Sequence, residues 1–329
     1  MKNVILFDTS AGTLNHGDEI IMESLEKNMK DVLDGKYVLK FPTHTPCFHF
    51  YQQTKKNPRY KFVSEADYKF ICGTNILNNK MLFPWPFWNI NIFNSKCNKG
   101  SVFVGVGSVG FGKDNKVNPY SKALYSSILS KKYKHSVRDE RTKNIVDSIL
   151  GEGSAINTGC VTTWGLTKEH CSGISAKKAK NVVFTLTDYA IDREADTYLI
   201  NTLIKNYEKV YFWPQGTRDV NYFLSLGVED KALMISPGIR SYYELLNAFP
   251  PGELDYVGTR LHAGIYAMQS KVRSVIIKVD NRADDMSKTY NINTVERDNR
   301  NLCEIINSEI VTDININEEK IKEWKSQFE

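Results

Sequence analysis

The chain lacks any long apolar run. In its 329 residues, no apolar stretch approaches the length of about 20 residues that a membrane-spanning helix needs. The apolar residues 4–7 are too few for the apolar part of a signal sequence, and polar residues follow soon after them. We therefore expect no membrane span, and we expect the protein in the cytoplasm.

Cysteine is scarce and irregularly placed. The six cysteines include no Cys-x-x-Cys pair and show no regular spacing. Structural zinc sites usually draw on such pairs, and small disulfide-stapled proteins carry cysteine at a far higher density. We expect reduced thiols, no bound metal, and cores that fold without covalent staples.

Neither charge sign dominates the sequence. Lys and Arg number 43 and Asp and Glu number 38, which gives a formal net charge of +5. An excess this mild does not indicate a nucleic-acid partner. Lysines concentrate at residues 131–134 and 177–180, which we interpret as solvated surface, with attraction to anionic lipid headgroups as the alternative. The aromatic residues 83–88 fit a buried loop, a surface that stacks on a sugar ring, or a lipid contact.

Apolar runs alternate with amphipathic segments, which is typical of an α/β fold with mainly parallel sheets. The apolar runs predict strands at residues 4–7, 37–41, 68–72, 101–106, 135–138, 155–157, 182–186, 209–213, 232–235, 254–257 and 274–278. The amphipathic segments predict helices at residues 18–32, 121–132, 140–150, 191–206, 218–226, 241–248, 261–269 and 300–307.

A polar segment at residues 168–180 separates the two series of strands. Because domains commonly contain about 150 residues, we predict two doubly wound domains, residues 1–175 and 176–329. The carboxyl ends of their strands would face a cleft, where ligands of such domains usually bind. Ile321, Trp324 and Phe328 recur at helical spacing, so a last helix is expected to pack an apolar face, with the first domain as a candidate partner.

The most informative motif follows the predicted strand at residues 254–257. There Arg260 and His262 open a helix of small residues at the carboxyl edge of a sheet. Arginine can bind a carboxylate or phosphate through two parallel hydrogen bonds, and histidine can donate or accept a proton near neutral pH. The pair therefore indicates acid chemistry on an anionic small molecule. The alternative is a structural turn in which Arg260 pairs with a nearby carboxylate and His262 is a satisfied core histidine.

A second arginine ends the predicted strand at residues 135–138. Asp139 and Glu140 follow Arg138 and suit the beginning of a helix. If Arg138 lines the cleft, it can help to bind the same anion as Arg260 and His262. A surface ion pair between Arg138 and one of the two following carboxylates is the alternative.

Two polar segments also follow predicted strands. Asn15 and Asp18 lie in a turn-rich loop after the first strand, where they would contact ligand hydroxyls or phosphate, unless Asp18 simply caps the following helix. Gln215 follows the strand at residues 209–213 and is a further candidate contact.

A glycine-containing step follows the strand at residues 68–72. Gly73 permits close backbone approach, and Thr74 and Asn75 present polar groups to an anion or a sugar hydroxyl. A tight turn without a ligand is the alternative. Residues 105–110 match the Gly-x-Gly-x-x-Gly pattern, but the loop continues past it and no acidic residue ends a strand at the expected distance, so close packing explains these glycines better than a dinucleotide does.

Four of these segments in this order resemble the polysaccharide pyruvyl transferase family. They are Asn15-His16-Gly17-Asp18, Cys72-Gly73-Thr74-Asn75-Ile76-Leu77, Ser136-Val137-Arg138-Asp139-Glu140 and Gly258-Thr259-Arg260-Leu261-His262-Ala263. The last is the most specific, and the set extends over most of the chain. One departure is that relatives often have three glycines where this chain has Cys72-Gly73-Thr74.

The resemblance implies two Rossmann-like domains facing a cleft in a glycosyltransferase-B-like arrangement. It implies phosphoenolpyruvate as co-substrate, no other cofactor, and a saccharide acceptor that in some relatives is lipid-linked. The product would be a pyruvate ketal, formed in the assembly of a capsule, an exopolysaccharide or a cell-wall polymer. Peripheral contact with the inner face of the membrane would follow for a lipid-linked acceptor. Arg138 and His262 match the family's donor-binding and catalytic positions.

Together these features predict a mechanism. Arg138 and Arg260 would neutralise the donor's carboxylate and phosphate, while His262 protonates the methylene carbon. Phosphate binding alone is the alternative role for His262. Two rival functions remain: a nucleotide-sugar-dependent glycosyltransferase of the same fold, and an inactive glycan-binding subunit.

Overall fold

A computed structural model describes residues 1–82 and 88–329 of the chain. The aromatic segment considered above lies outside the described residues except for Trp88, whose side chain is buried. The described residues form two compact units. Unit 1 comprises Met1–Thr13, Ile21–Trp164 and Asn317–Glu329, and unit 2 comprises Leu14–Ile20 and Gly165–Ile316.

Strands and helices alternate along both units. The strands are β1 (Asn3–Asp8), β2 (Tyr37–Pro42), β3 (Tyr68–Cys72), β4 (Leu77–Asn78), β5 (Val102–Val104), β6 (Ser108–Val109), β7 (His135–Val137), β8 (Ala155–Asn157), β9 (Asn181–Phe184), β10 (Lys209–Phe212), β11 (Leu233–Met234), β12 (Leu254–Gly258), β13 (Arg273–Lys278) and β14 (Thr294–Glu296).

The helices complete the α/β pattern. They are α1 (Gly17–Asn28), α2 (Lys30–Leu33), α3 (Pro58–Ser64), α4 (Pro119–Ile128), α5 (Glu140–Leu150), α6 (Lys168–Ser172), α7 (Arg193–Asn206), α8 (Asp219–Leu224), α9 (Ile239–Asn247), α10 (Leu261–Gln269), α11 (Asn281–Tyr290), α12 (Leu302–Asn307) and α13 (Glu318–Lys325). None of the helices in the described part of the chain is long and apolar enough to cross a membrane.

Unit 1 is built on a parallel sheet with the strand order β2-β1-β3-β5. In the register of this sheet, Ile5 of β1 lies opposite Leu39 on one side and Lys69 on the other. A parallel bridge between Val106 and Val137 continues the sheet into the pair β7-β8. The side chains of β1 from Val4 onward are buried, as expected for a parallel strand covered on both faces. The chain order reverses between β1 and β3, so a ligand is expected beside the carboxyl ends of these two strands.

The last helix expected from the sequence forms as α13, and it packs within unit 1. Trp324 and Phe328 are fully buried there, and the ring of Phe70 lies 5.0 Å from that of Phe328. The indole nitrogen of Trp324 donates a hydrogen bond to the Lys134 carbonyl oxygen at 2.8 Å. The last residues of the described chain are therefore part of the core of unit 1.

Unit 2 is built on a six-stranded parallel sheet. Its strand order is β11-β10-β9-β12-β13-β14. Numbered within the unit, this is the order 3-2-1-4-5-6 of a Rossmann sheet, with the chain reversing between β9 and β12. In the register there, Tyr256 lies opposite Val183. The predicted parallel-sheet α/β class is confirmed in both units.

The division into units differs from the expected domains, residues 1–175 and 176–329, in three respects. The main change of unit falls between Trp164 and Gly165, Leu14–Ile20 belongs to unit 2, and Asn317–Glu329 belongs to unit 1. The second difference has a direct cause, because Asn15 forms an antiparallel bridge with Gly216. The His16 amide also donates to the Gln215 carbonyl oxygen at 3.0 Å.

Candidate functional site

In unit 2, the reversal point between β9 and β12 is occupied by Arg260. Its Nη2 atom donates to Asp219 Oδ1 at 2.5 Å and to Asp188 Oδ1 at 2.8 Å. Its Nε atom donates to the Leu186 carbonyl oxygen at 2.8 Å. The ring of Tyr189 covers the guanidinium, with its centroid 5.1 Å from the central carbon.

These contacts match the alternative considered from the sequence, in which Arg260 pairs with nearby carboxylates in a structural turn. The side chain is 3% exposed, and one guanidinium charge faces two carboxylates. Burial raises the pKa of Asp219, and the neighbouring guanidinium opposes that shift. Because two carboxylates surround one guanidinium, Arg260 holds Asp188 and Asp219 in place, and the cluster presents no net positive charge.

His262 is the second residue of α10, directly after this anchor. The start of α10 is held by two buried tyrosines: Tyr256 donates to the Arg260 carbonyl oxygen at 2.8 Å and Tyr242 donates to the Ala263 carbonyl oxygen at 3.0 Å. The His262 side chain is half-buried. An imidazole in the first turn of a helix lies beside amides that favour a bound anion.

The segment Leu14–Ile20 brings two of the predicted residues together. Asn15 Oδ1 accepts hydrogen bonds from Gln215 Nε2 at 2.7 Å and from the Gly17 amide at 2.9 Å. Gln215 is 3% exposed, so this contact is an internal one. Asp18 lies in the first turn of α1, where its amide donates to the Asn15 carbonyl oxygen at 3.0 Å.

Sequence reasoning missed the aromatic stack behind this segment. The His16 ring stacks on Trp213 with centroids 6.3 Å apart, and Trp213 stacks on Tyr242 at 4.0 Å. His16 Nδ1 also lies 3.2 Å from Glu19 Oε2. The spacing of His16 and Glu19 on a helix was visible in the sequence, but the stack joins residues that only the fold brings together.

In unit 1, the residues after β3 and β7 meet beside the carboxyl edge of the sheet. Arg138 Nη2 donates to Asn75 Oδ1 at 2.6 Å, and Arg138 Nε lies 3.6 Å from Asp139 Oδ2. The Arg138 side chain is 16% exposed. Asp139 also caps α5 by accepting from the Thr142 amide at 2.7 Å. The predicted residues Asn75 and Arg138 are therefore neighbours, with the Asp139 ion pair as the longer contact.

Glycines make room for this pair. A Cβ atom on Gly107 would lie 2.4 Å from Arg138 Nε and 2.6 Å from Asn75 Oδ1. Gly73 has φ +60°, and a Cβ atom there would lie 2.2 Å from the side chain of Ile21. The contacts of Gly107 fit the close packing that was expected for the glycines of residues 105–110.

Thr74 has an unusual backbone for a β-branched residue. Its φ is +48°, and its carbonyl oxygen accepts from the Gly107 amide at 2.8 Å. This left-handed turn leads the chain into Asn75, beside Arg138.

Replacing Thr74 by glycine is expected to raise the free energy of unfolding by about 1 kcal/mol, because glycine adopts positive φ without the Cβ clash. Chemical denaturation monitored by tryptophan fluorescence measures the change. Thr74→Ala is the matched control, since it removes the hydroxyl but keeps the Cβ atom and should bring no such gain. Equal stability of the glycine variant and the wild type would contradict the strain.

Comparisons with known proteins agree on family and fold. A family model described as polysaccharide pyruvyl transferase matches residues 15–281. No curated protein sequence matches the chain. Among solved structures, the UDP-GlcNAc 2-epimerase of Methanocaldococcus jannaschii, in complex with UDP-GlcNAc and UDP, is similar at 12% identity and a TM-score of 0.51, covering 97% of each chain. The wall teichoic acid polymerase TagF is similar at 14% identity and a TM-score of 0.43, covering 99% of this chain and 82% of TagF.

These structural similarities concern the fold alone, because the sequence identities are low. With the parallel sheets described above, the similarity to the epimerase confirms the predicted class of Rossmann-like α/β units.

Proposed function

Since the chain belongs to the polysaccharide pyruvyl transferase family, we propose that it transfers the enolpyruvyl group of phosphoenolpyruvate to a glycan. Two hydroxyls of one sugar would be joined to the same carbon, giving a pyruvate ketal and free phosphate. The match over residues 15–281 carries the proposal. The family makes the protein a transferase of polysaccharide biosynthesis. The donor, the ketal product and a role in capsule, exopolysaccharide or cell-wall assembly belong to the proposal.

Arg138 is assigned to the anionic donor. Its guanidinium is oriented by the side-chain amide of Asn75, which carries no charge, at 2.6 Å. Asp139, the nearer carboxylate in sequence, is 3.6 Å away and also caps a helix. The Asn75 amide orients the guanidinium without offsetting its charge, whereas the two carboxylates bonded to Arg260 offset the charge of that residue.

Arg260 is assigned a different role from the one expected from the sequence. Its single charge is already paired with two carboxylates, Asp188 and Asp219, and its side chain is almost completely buried. A phosphate placed there would meet two carboxylates that repel it. We therefore assign Arg260 as a positioning residue, which fixes the turn that leads into His262.

His262 is assigned as the general acid. As imidazolium it would give a proton to the methylene carbon of phosphoenolpyruvate, leaving an oxocarbenium at the adjacent carbon. A sugar hydroxyl adds to that carbon and releases its proton to the imidazole. Departure of phosphate with the electrons of its C–O bond renews the oxocarbenium. The second hydroxyl then adds to that carbon, gives its proton to the released phosphate, and closes the ketal. Amides at the start of α10 would favour the departing phosphate.

A nucleotide-sugar glycosyltransferase is the second candidate. The strand order of unit 2 is the one that binds nucleotides in Rossmann domains, and the similar epimerase structure contains UDP-GlcNAc. Both reactions would place a phosphate beside the same strand ends. The two candidates differ in which ligand the protein recognises.

Thermal stabilisation by ligands tests the choice. Phosphoenolpyruvate is expected to raise the melting temperature of the wild type, nucleotide sugars should not, and Arg138→Ala should abolish the shift because the donor loses its cation. Arg141→Ala is the matched control, since Arg141 is an exposed arginine that bonds to backbone oxygens of its own unit. Stabilisation by a nucleotide sugar alone would instead support the glycosyltransferase.

The proposal includes an acceptor carried on a lipid. Lysines at residues 131–134 and 177–180 would attract the protein to an anionic membrane surface that displays such an acceptor.

A further inference from the structure

An open groove of about 770 Å³ lies in unit 1, apart from the Arg138–Asn75 pair. Its walls are formed by the loop that follows β2 and by the segment that precedes β5. The volume lies in the range of small-molecule sites, roughly 300–1,000 Å³. Neither the donor nor the general acid assigned above uses this groove.

Aromatic side chains stand exposed along the groove. Phe50 is 73% exposed and Phe93 is 71% exposed. Next to Phe50, the rings of His49 and Tyr51 are stacked with centroids 5.5 Å apart. Large apolar side chains grouped on a surface mark a place where something binds, since solitary ones are common but clusters are not.

Side-chain amides alternate with these rings. Gln53 Nε2 donates to the Phe93 carbonyl oxygen at 2.9 Å, which ties the two walls together. Asn91 Oδ1 accepts from the Phe93 amide at 2.9 Å and holds the turn that displays this ring. Of the described residues that line the groove, Lys96 carries a full positive charge, and none is an aspartate or a glutamate. The groove is thus preformed, nearly uncharged, and mixed in apolar and amide character.

The loop that forms one wall of the groove is anchored at the end of β1. The loop that forms one wall begins at Thr43, whose amide donates to the Asp8 carbonyl oxygen at 3.1 Å. His44 Nε2 lies 3.2 Å from the Thr9 carbonyl oxygen, directly after β1. The loop behind the groove is therefore fixed at the carboxyl edge of the sheet that also carries Asn75 and Arg138.

We propose that this groove binds the non-reacting sugars of the glycan acceptor. The C–H face of a sugar ring packs on an aromatic ring, while its hydroxyls exchange hydrogen bonds with amide side chains. A groove with a single charged residue, Lys96, among the amides and aromatic rings of its described lining suits a saccharide better than a highly charged nucleic acid. The inference rests on the proposed function, because it assigns the substrate class of the acceptor to a defined surface of unit 1.

An array of defined bacterial oligosaccharides, probed with the labelled full-length protein, tests this inference. The wild type is expected to bind a restricted set of glycans, and Phe93→Ala should weaken that binding about tenfold because a stacking face is lost. Tyr243→Ala, which removes an aromatic side chain 52% exposed in unit 2, should leave binding unchanged. Both variants should melt like the wild type, because the removed rings are largely in solvent.

Several results would overturn the inference. The first is that the wild type binds no glycan, and the second is that Phe93→Ala binds glycans as well as the wild type does. The third is that Phe93→Ala keeps its glycan binding but loses self-association or binding to phosphatidylglycerol vesicles. Phosphoenolpyruvate separates this inference from the proposed function. If it fails to stabilise the protein while glycan binding still depends on Phe93, pyruvyl transfer is wrong and the saccharide groove stands.

Discussion

Replacing His262 by glutamine is expected to lower kcat for ketal formation by about 10²- to 10⁴-fold, the usual contribution of a positioned general acid. Glutamine retains a hydrogen-bonding side chain of similar reach but cannot deliver a proton at neutral pH. The affinity for phosphoenolpyruvate should therefore stay within a few-fold of the wild type. Because α10 is held by Tyr242 and Tyr256, the exchange should not disturb the first turn of the helix.

Phosphate release and donor binding, measured separately, distinguish the roles of His262. His170→Gln is the matched control, since His170 is a half-buried histidine of unit 2 whose Nε2 atom lies 2.9 Å from the Met268 carbonyl oxygen. That variant should retain normal turnover. A His262→Gln enzyme that loses donor affinity but turns over normally at saturation would make His262 a phosphate-binding residue and leave the acid to be found elsewhere.

Arg260→Met is expected to lower the free energy of unfolding by about 3–5 kcal/mol, because it leaves Asp219 and Asp188 without their cation. Methionine fills much of the space of the arginine stem, so the lost charge dominates the change. Asp219 is fully buried and cannot recover its solvation without local opening. Asp219 can lose its charge by taking up a proton, and burial already favours this because it raises the pKa of the carboxyl.

Denaturant unfolding of the full chain measures this loss. Arg240→Met is the matched control: Arg240 pairs with Glu244 at 2.8 Å, but its side chain is 89% exposed, so the exchange should cost less than about 1 kcal/mol. Adding Asp219→Asn to Arg260→Met should recover part of the stability, because the buried negative charge disappears. A stable Arg260→Met protein that no longer binds phosphoenolpyruvate would return Arg260 to the donor site.

The main strands could be predicted because each is an apolar run between polar segments. β4, β6 and β14 were missed, since two of them have only two residues and the third, Thr294–Glu296, alternates polar and apolar side chains. The expected single helix at residues 18–32 is divided into α1 and α2. Short or polar elements owe their conformation to neighbours in the fold, which local sequence does not contain.

The candidate site was harder to predict than the sheet, because its side chains are paired over long sequence distances. Arg260 is 72 residues from Asp188 and 41 from Asp219, and Asn15 is 200 residues from Gln215. A motif indicates which residue types follow a strand, but not which partners neutralise them. The sequence therefore located Arg138, Asn75 and His262 at strand ends, yet it could not tell an arginine offered to a ligand from one already enclosed by carboxylates.

The interleaved course of the chain through the two units has a consequence for biosynthesis. Residues 317–329, which supply Trp324 and Phe328 to the core of unit 1, are translated after the whole of residues 165–316. A nascent chain can thus complete unit 2, to which the earlier residues 14–20 also belong, while unit 1 still lacks part of its apolar core. Ribosome-bound intermediates should expose the apolar side chains of Phe70 and Trp164 until residues 317–329 emerge and Trp324 packs on them.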